Sequence, residues 1–564
     1  MTANSNLITR AIVIVSVCIS LNSYSQDLEN LKNTKPVDIK GNIGASAIFY
    51  DVEGKKASRE PFAVVLRGEF DISLYGVAIP ISFLLSDQQR EFMQPLNRFG
   101  LSPQYKWAKA HLGHRSLNYS KYTLAGHNIN GAGIELTPKN FRFAIIHGTL
   151  LKAIEEQRER ETQKWQNPAF KRTGTIVKAG YGTSDNFVDI VFLKASDKLN
   201  SLDSIPVMYN IQPAENMLLG MVTKQKIAGN LFFDLEYAQS YYTRDIRSPE
   251  TDTVKGFLLA PLKGFYDHRS TTLYGSALEA NLSYQVAKYG MKLRFERVDP
   301  GYRSMGAYYF LSDLQNITLE PRINLFENKL IINLRAGFQR DNLSNIKEST
   351  TKRTISSFNI TSQPLKNYSI NAFYSNFGIG QKSGISTVDT LLELSQATLN
   401  TGLMQSYLLQ GDKVVNTFFF NVNYQKLNDA NTNTSSFTEF NTMSITGGYS
   451  AFVIRFKLNA GINLIHTSFE NNTTKNAYTG PSIILSKSFA KNKASVSLNQ
   501  TIMGAKINDE KISTISTFAL RTSYKITKSQ RVSARFQLHS QKAQVQHITP
   551  FTETKGEINY VYQF

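Results

Sequence analysis

The sequence predicts an all-β chain that closes into a transmembrane antiparallel β-barrel of about 26 strands, with about 24 as the alternative count. Three observations support this fold: segments that alternate with a period of two, interruptions that alternate in length, and an aromatic C-terminal strand. The 564 residues include 27 Tyr and 35 Phe but only 16 Pro, which excludes a disordered chain. After residue 25 no apolar run approaches the roughly 20 residues of a spanning helix.

The N-terminus has the parts of a secretory signal peptide. Arg10 precedes an apolar run over residues 11–21, and small residues at 23–25 precede the expected cleavage. Cys18 is the only cysteine and lies inside this run, so the mature chain is expected to have no disulfide. The predicted organisation is a signal peptide over 1–25, a short periplasmic leader over 26–40 and the barrel over 41–564.

The alternation is clearest in the C-terminal half of the chain. Between Arg531 and Leu538, apolar residues occupy every second position, and arginine, serine or glutamine lies between them. The segments 330–339 and 417–424 show the same split. This pattern predicts strands with one apolar face, but a soluble β-sandwich would show it too.

The interruptions between strands alternate between long and short. Long ones are expected near 541–552, 504–511, 466–475, 425–436, 377–391, 341–350 and 299–311. Short ones are expected near 527–529, 488–492, 450–452, 410–412, 363–366, 324–328 and 287–289. Short periplasmic turns and long surface loops are typical of outer-membrane barrels. An even strand count also places both termini in the periplasm.

The last strand carries a further membrane signature, with four large residues on one face: Ile558, Tyr560, Tyr562 and Phe564. This ending resembles the closing strand of bacterial outer-membrane barrels, which the barrel-assembly machinery recognises. That machinery, outer-membrane lipid and lipopolysaccharide are therefore the expected partners.

A barrel this wide is expected to contain protein in its lumen, since barrels of about 22 strands are plugged. Four long segments are candidates for inward-folded loops: 86–104, 151–172, 196–217 and 241–271. The second includes a dense charge run from Ala153 to Glu161, which predicts a helix that is either solvated or a docking surface.

The strand assignment places a largely cationic set of side chains in the lumen. They are Lys292, Arg294, Glu296, Arg335, Arg455, Lys457, Arg521, Lys525, Arg531 and Arg535, with Asp234, Glu236, Glu279 and Glu557 as further acids. Loss of Arg10 with the signal lowers the net charge from +19 to 19 − 1 = +18. Such a lumen favours anionic solutes or an acidic partner, and ordinary solvation of a wide lumen is the alternative explanation.

No sequence motif indicates catalysis or a bound cofactor, since HExxH, CxxC and Walker-type patterns do not occur. The loop residues 267–270 include an Asp, a His and a Ser, but adjacency on a loop does not establish a catalytic geometry. His111 and His114 are three apart, so in a strand they face opposite sides. We therefore expect a non-enzymatic protein without cofactor, metal or nucleic-acid partner.

Several stretches in the first 340 residues are distinctive short sequence motifs. They are Ser-Pro-Gln-Tyr-Lys-Trp at 102–107, Tyr-Thr-Leu-Ala-Gly-His at 122–127, Pro-Ala-Glu-Asn at 213–216 and the segment 302–310. These stretches resemble a group of outer-membrane β-barrel proteins of Bacteroidota without a settled activity. The resemblance covers about residues 40–340 and implies the fold and an outer-membrane location in a Gram-negative cell, but no function.

Two function classes fit these observations. The leading hypothesis is a porin-like channel or transport barrel with a polar, cation-lined lumen. The alternative is a non-conducting structural or accessory subunit of an outer-membrane secretion or assembly complex, which would carry a surface lipoprotein or a secretion-complex partner.

Overall fold

The described residues of the computed structural model form one closed antiparallel barrel. They are residues 36–75, 77–87, 98–155, 157–159, 164–166, 168–203, 211–251, 264–307, 310–347, 349–383, 395–429, 435–546 and 548–564. The predicted signal peptide and most of the predicted leader lie outside this set. The first strand begins at Val37, which is 41 − 37 = 4 residues before the expected start of the barrel.

The sheet has 27 ladder segments, two of which form a single interrupted strand, so the predicted count of 26 strands is confirmed. In chain order the first thirteen are β1 (Val37–Glu53), β2 (Phe62–Leu74), β3 (Val77–Ser86), β4 (Arg98–Leu101 with Gln104–Tyr105), β5 (Ala108–Leu117), β6 (His127–Leu136), β7 (Phe141–Leu151), β8 (Arg172–Gly182), β9 (Phe187–Asp197), β10 (Glu215–Ala228), β11 (Leu231–Thr243), β12 (Thr272–Gln285) and β13 (Tyr289–Val298).

The second half of the barrel wall has longer strands. They are β14 (Leu314–Leu325), β15 (Leu330–Arg340), β16 (Ser349–Leu365), β17 (Tyr368–Ser383), β18 (Ser395–Gln410), β19 (Val414–Asp429), β20 (Phe440–Val453), β21 (Leu458–Asn471), β22 (Lys475–Phe489), β23 (Ala494–Ile507), β24 (Glu510–Lys525), β25 (Gln530–Ala543) and β26 (Phe551–Gln563).

The barrel closes between its first and last strands. β1 and β26 pair antiparallel from Asn42 opposite Gln563 to Glu53 opposite Thr552. Beyond that ladder, the backbones of Gly41 and Phe564 exchange two hydrogen bonds of 3.1 Å. Closure leaves the sheet without an edge, so the strand backbone is satisfied within the wall, as a lipid environment requires.

The two faces of the wall differ in chemistry. Residues paired across neighbouring strands share a face, so the register assigns a side to each residue around the whole barrel. Large exposed apolar side chains lie mainly on the outer face, for example Leu66, Leu282, Ile317, Leu464 and Ile502. Exposing such surface to water costs about 25 cal/mol per Å², whereas contact with lipid does not.

Interruption lengths follow the predicted alternation except at two positions. The breaks expected at 466–475 and 504–511 are turns of three and two residues, because β21 continues to Asn471 and β23 to Ile507. Asn508 and Asp509 have φ of 49° and 66°, the left-handed conformation that a two-residue hairpin turn needs and that these residues tolerate. The polar residues near these turns extend the strands rather than forming loops.

The helix predicted between Ala153 and Glu161 is not found at the described positions of that run. Residues Gln157–Glu159 instead pair antiparallel with Lys164–Gln166 in a separate two-stranded sheet. Charged residues at helical spacing therefore lie here in a small hairpin between β7 and β8. No helix in the described part of the chain is long and apolar enough to cross a membrane.

Candidate functional site

The loop between β5 and β6, residues 118–126, folds into the lumen. Ser120 and Leu124 form a short antiparallel bridge, in which the Leu124 amide donates to the Ser120 carbonyl at 3.1 Å. Tyr122 and Leu124 have no exposed surface. Gly126 has a φ of +69°, a conformation that favours glycine, and it returns the chain to the wall at β6.

A second inward segment, residues 299–307, packs against the first, and we call the two segments together the inner plug. The Tyr302 hydroxyl donates to the Tyr122 carbonyl at 2.8 Å, and the two residues are 180 positions apart in the chain. Both tyrosine rings pack edge-on with a centroid separation of 6.2 Å, and Phe310 lies 5.8 Å from the Tyr122 ring. The inner plug therefore has a small aromatic core of its own.

Small residues allow the two plug segments to approach closely. Ala125 forms a parallel bridge with Ala307, and its amide donates to the Gly306 carbonyl at 3.0 Å. A Cβ added to Gly306 would stand 2.4 Å from the carbonyl oxygen of Thr123 and 2.5 Å from Cδ1 of Leu193. A larger residue at position 306 would therefore push the plug away from the wall.

Asn216, the second residue of strand β10, links the inner plug to the wall. Its Oδ1 accepts a hydrogen bond from the Met305 amide at 2.9 Å, and its Nδ2 donates to Ser240 Oγ at 2.9 Å. Asn216 is fully buried, so these bonds satisfy an amide that would otherwise be costly to bury. The distinctive sequence motifs around Tyr122, Asn216 and Tyr302 thus meet at the inner plug.

A carboxylate on β11 holds the tip of the first plug segment. Glu236 Oε1 accepts hydrogen bonds from Ser120 Oγ at 2.5 Å and from the Tyr122 amide at 2.9 Å. The loop thereby gains a charge-assisted acceptor for a backbone donor that lies inside the barrel.

Two further carboxylates form an ion-pair network with the plug, which we call the plug latch. Lys121 Nζ lies 2.7 Å from Glu279 and 2.5 Å from Glu296, and the Arg294 guanidinium reaches the same two carboxylates at 3.0 and 2.9 Å. The Tyr122 hydroxyl also donates to Glu296 at 2.9 Å. Burial, followed by the charge of Glu296, raises the pKa of Tyr122 far above its ordinary value. Tyr122 therefore remains a neutral donor, and two cations offset two anions.

The structure places eight of the ten predicted lumen residues on the lumen side of the wall. Arg294 and Glu296 belong to the plug latch, and Arg335 lies 3.2 Å from Glu320 in an ion pair. The others on this face are Lys292, Arg521, Lys525, Arg531 and Arg535.

The sequence interpretation placed Arg455 and Lys457 on a strand, and this is wrong. β20 continues to Val453, so these two residues occupy the turn 454–457, and Lys457 has a φ of 49°. The alternation of apolar and polar residues continues through this turn, so the pattern alone did not reveal where the strand ends.

Four cations on β24 and β25 form what we call the cationic ladder. Arg521 lies directly across from Arg535, and Lys525 directly across from Arg531, all four exposed toward the lumen. Within the described part of the chain none of these four forms an ion pair, although Glu557 is the cross-strand neighbour of Arg535. β25 is 25 − 13 = 12 strands from β13, so the ladder is about halfway around the barrel from the plug latch.

The predicted plug segments have other roles in the described residues. Residues 98–105 of the first form the interrupted strand β4, and 213–217 of the third support the inner plug through Asn216. The loop 264–271 packs on the outer face of the wall, where Tyr266 and His268 cover Tyr241. Inward-folded loops were predicted correctly as a feature, and those seen in the described residues, 118–126 and 299–307, are not among the four predicted segments. Residues 88–97, 160–163, 204–210 and 252–263 of those segments lie outside the described residues.

Two histidines of the described residues contact several other elements of the barrel. The His268 ring packs edge-on against Tyr241 with a centroid separation of 4.5 Å, and burial lowers the pKa of His268. Ser102 Oγ lies 2.8 Å from His111 Nδ1, and His111 Nε2 lies 3.3 Å from Glu135, which joins β4, β5 and β6. Ser102 and His111 are each only 4% exposed, so this contact chain is largely buried in the wall. No three His, Cys, Asp or Glu side chains are grouped for a metal in this part of the chain.

The C-terminal residues singled out from the sequence point outward. Ile558, Tyr560 and Tyr562 are exposed on the outer face, opposite in direction to Glu557. The Phe564 ring packs 5.8 Å from Phe70 of β2 and 5.5 Å from Tyr562. These aromatic contacts stabilise the seam of the barrel, the junction between β26 and the first two strands.

The architecture defines a closed antiparallel β-barrel of the outer-membrane type. No protein-family model matches the chain, and no curated protein sequence matches it. Among solved structures, OccAB2 of Acinetobacter baumannii is similar at 10% identity over 93% of this chain and 98% of its own, with a TM-score of 0.31. The P pilus usher PapC translocation pore is similar at 10% identity over 94% and 100%, with a TM-score of 0.34. Likenesses of this size leave the function to be argued from the chain itself.

Proposed function

We propose that this chain is an outer-membrane transport barrel of a Gram-negative bacterium of the Bacteroidota, which passes small polar solutes with a preference for anions. The observation that carries the proposal is the difference between the two sides of the lumen. One side is filled by the inner plug with its charges paired, and the other presents the exposed cationic ladder.

The cationic ladder has a physical cost that a purely structural wall would avoid. Like charges directly across neighbouring strands repel each other, and both Arg521 with Arg535 and Lys525 with Arg531 have this arrangement. Oriented cations in a confined polar lumen raise the local concentration of anions and lower the barrier to their passage. A counter-charge supplied by a passing solute would relieve the repulsion.

Location and orientation are supported by the wall itself. The outer face is apolar, the N-terminus has the form of a signal peptide, and the strand count is even. Periplasmic termini would put the short turns in the periplasm and place the inner plug on the side of the surface loops. Lipid, lipopolysaccharide and the barrel-assembly machinery are the partners that such a barrel needs.

The second candidate function is a non-conducting accessory subunit of a secretion or assembly complex. The extensive anchoring of the inner plug favours it, since a plug tied by Asn216, Glu236 and the latch is costly to move. A steady conductance of the purified barrel would contradict this candidate.

Reversal potentials in a planar bilayer under a KCl gradient test the channel proposal. The parent barrel should prefer chloride, and the double variant Arg521→Glu with Arg535→Glu should lose or reverse this preference. Arg455→Glu, in the turn 454–457, is the matched control for a charge reversal outside the lumen. A silent barrel that co-purifies with defined partners would overturn the channel, and unchanged selectivity of the double variant would overturn the role of the ladder.

A further inference from the structure

A second cationic feature lies in the lumen wall formed by β1 to β6. A cavity of about 490 Å³ opens there, between the seam of the barrel and the interrupted strand β4. Three arginines from three different strands line it: Arg67 of β2, Arg98 of β4 and Arg115 of β5. We call it the arginine pocket. None of these residues belongs to the inner plug or the cationic ladder.

The register explains why two of these arginines converge. Arg67 pairs with Leu84, and Leu84 pairs with Arg98, so both arginines lie at one level of the wall on the same face. Their backbones are two strand spacings apart, which is about 10 Å, so two long side chains can reach a common ligand. Arg67 also lies over Gly44, where an added Cβ would stand 3.3 Å from its Nε.

The third arginine is held in place by the neighbouring strand. Arg115 Nη1 donates to Ser82 Oγ at 3.1 Å, and Nη2 donates to the Pro80 carbonyl at 3.0 Å. Its Nε is buried and has no hydrogen-bond partner among the described residues. Because the guanidinium is already fixed in this way, the Arg115 side chain loses little conformational entropy when a ligand binds.

The other polar side chains of the pocket suit an anionic solute that also has hydroxyl or amine groups. With the Asn128 amide turned so that its oxygen faces Arg98, that oxygen lies 3.0 Å from Nη1 and 3.1 Å from Nε. Glu69 is the only acid among the described lining residues, and Asn42 and Ser82 add neutral donors and acceptors. Three guanidinium groups against one carboxylate leave a net positive site.

From this geometry we propose that the arginine pocket binds a small organic solute through a carboxylate or phosphate group. Guanidinium groups bind both oxyanions in a bidentate manner, and arginine retains its charge at any relevant pH. The inference rests on the proposed transport function and deepens it, because it assigns a binding site for the transported anion. The polar side chains of Glu69 and Asn42 would contact the hydroxyl or amine groups of the same solute.

Calorimetric titration of the purified full-length barrel in detergent tests the site, with citrate and inorganic phosphate as probes and glucose as the neutral comparison. Citrate binding alone would identify a carboxylate site, and phosphate binding alone a phosphate site. Arg67→Gln and Arg98→Gln should each weaken binding about tenfold or more, since a charge-assisted hydrogen bond is lost. Arg455→Gln is the matched control and should bind like the parent.

Glu69→Gln keeps the proposal falsifiable if an arginine variant fails to fold. Removal of this negative charge should tighten binding of the oxyanion by about two- to fivefold, a gain that a misfolded protein does not give. Equal affinity of the parent and all three pocket variants, or no binding of either anion by the folded parent, would overturn the site. Because the titration does not require conductance, a silent bilayer with intact binding would overturn the channel and leave the pocket standing.

Discussion

Replacement of Lys121 by methionine is expected to loosen the inner plug and increase the fraction of time the barrel spends in a high-conductance state. Lys121 joins the plug to Glu279 and Glu296 at 2.7 and 2.5 Å. Methionine retains most of the volume and removes the charge. The two carboxylates then have only Arg294 to balance them, and their mutual repulsion opposes the closed position of the loop.

The size of the effect can be estimated from the contacts. A buried charge-assisted hydrogen bond contributes about 1.5 to 3 kcal/mol, and Lys121 makes two of them. Its side chain is 33% exposed and Arg294 continues to bridge both carboxylates, so we take the low end, about 1.5 to 2 kcal/mol. Each 1.4 kcal/mol changes an equilibrium about tenfold, so openings should become roughly 10- to 30-fold more frequent.

Single-channel recording of parent and variant in planar bilayers measures this ratio directly. Lys288→Met, in the short turn between β12 and β13, removes a lysine that does not contact the plug and should behave like the parent. The double variant Lys121→Met with Glu279→Gln restores the charge balance and should recover part of the closed population. If the single variant opens no more often than the parent, the plug latch does not hold the plug, and this reasoning is refuted.

Three other features of the wall and loops give separate predictions. Gly306→Ala should displace the plug and raise conductance, whereas Gly378→Ala, where a Cβ meets nothing within 4 Å, should not. Burial opposes ionisation of Asp313, but Lys347 and backbone amides outweigh it and hold the pKa of Asp313 below its ordinary value. The contacts of the Asp313 carboxylate therefore stabilise the fold above about pH 4, and this stabilisation is lost as the pH falls through the lowered pKa. At neutral pH Asp313→Asn should speed tryptic cleavage after Lys347, and an unchanged cleavage rate would contradict this prediction. Phe564→Ala should lower the yield of folded, heat-modifiable barrel on gels by weakening the seam, with a normal yield as the contrary result.

Local patterns in the sequence were enough to predict the wall. The period-two alternation identifies the lumen side of Arg521 and Arg535, because successive side chains of a strand point to opposite faces. The same rule identifies the outward direction of Tyr560 and Tyr562. The rule fails where alternation continues through a turn, and Arg455 is an example. Strand ends depend on backbone conformations that apolar and polar spacing does not encode.

The identity of the plug was not accessible to the same reasoning. Length and charge pointed to segments such as 151–172, whereas the inner plug seen in the described residues consists of two shorter segments around Tyr122 and Tyr302. Their contact joins residues 180 positions apart, and it depends on a glycine and two alanines with no periodic signature. The sequence signals were the distinctive stretches around Tyr122, Asn216 and Tyr302, and nothing in the sequence indicated that these three stretches meet.

By itself, the sequence predicted a chain of about 26 amphipathic strands, with 24 as the alternative count, and the closed 26-strand barrel confirms the first of these. Side-chain alternation and hydrogen-bond closure are local or nearest-neighbour properties, so they can be read from the order of residues. Only the tertiary structure decided which lumen charges are paired in the plug latch, which remain exposed in the cationic ladder, and which converge at the arginine pocket. Those outcomes depend on the register around a closed barrel, which brings Arg67 level with Arg98 and places Lys121 between two carboxylates.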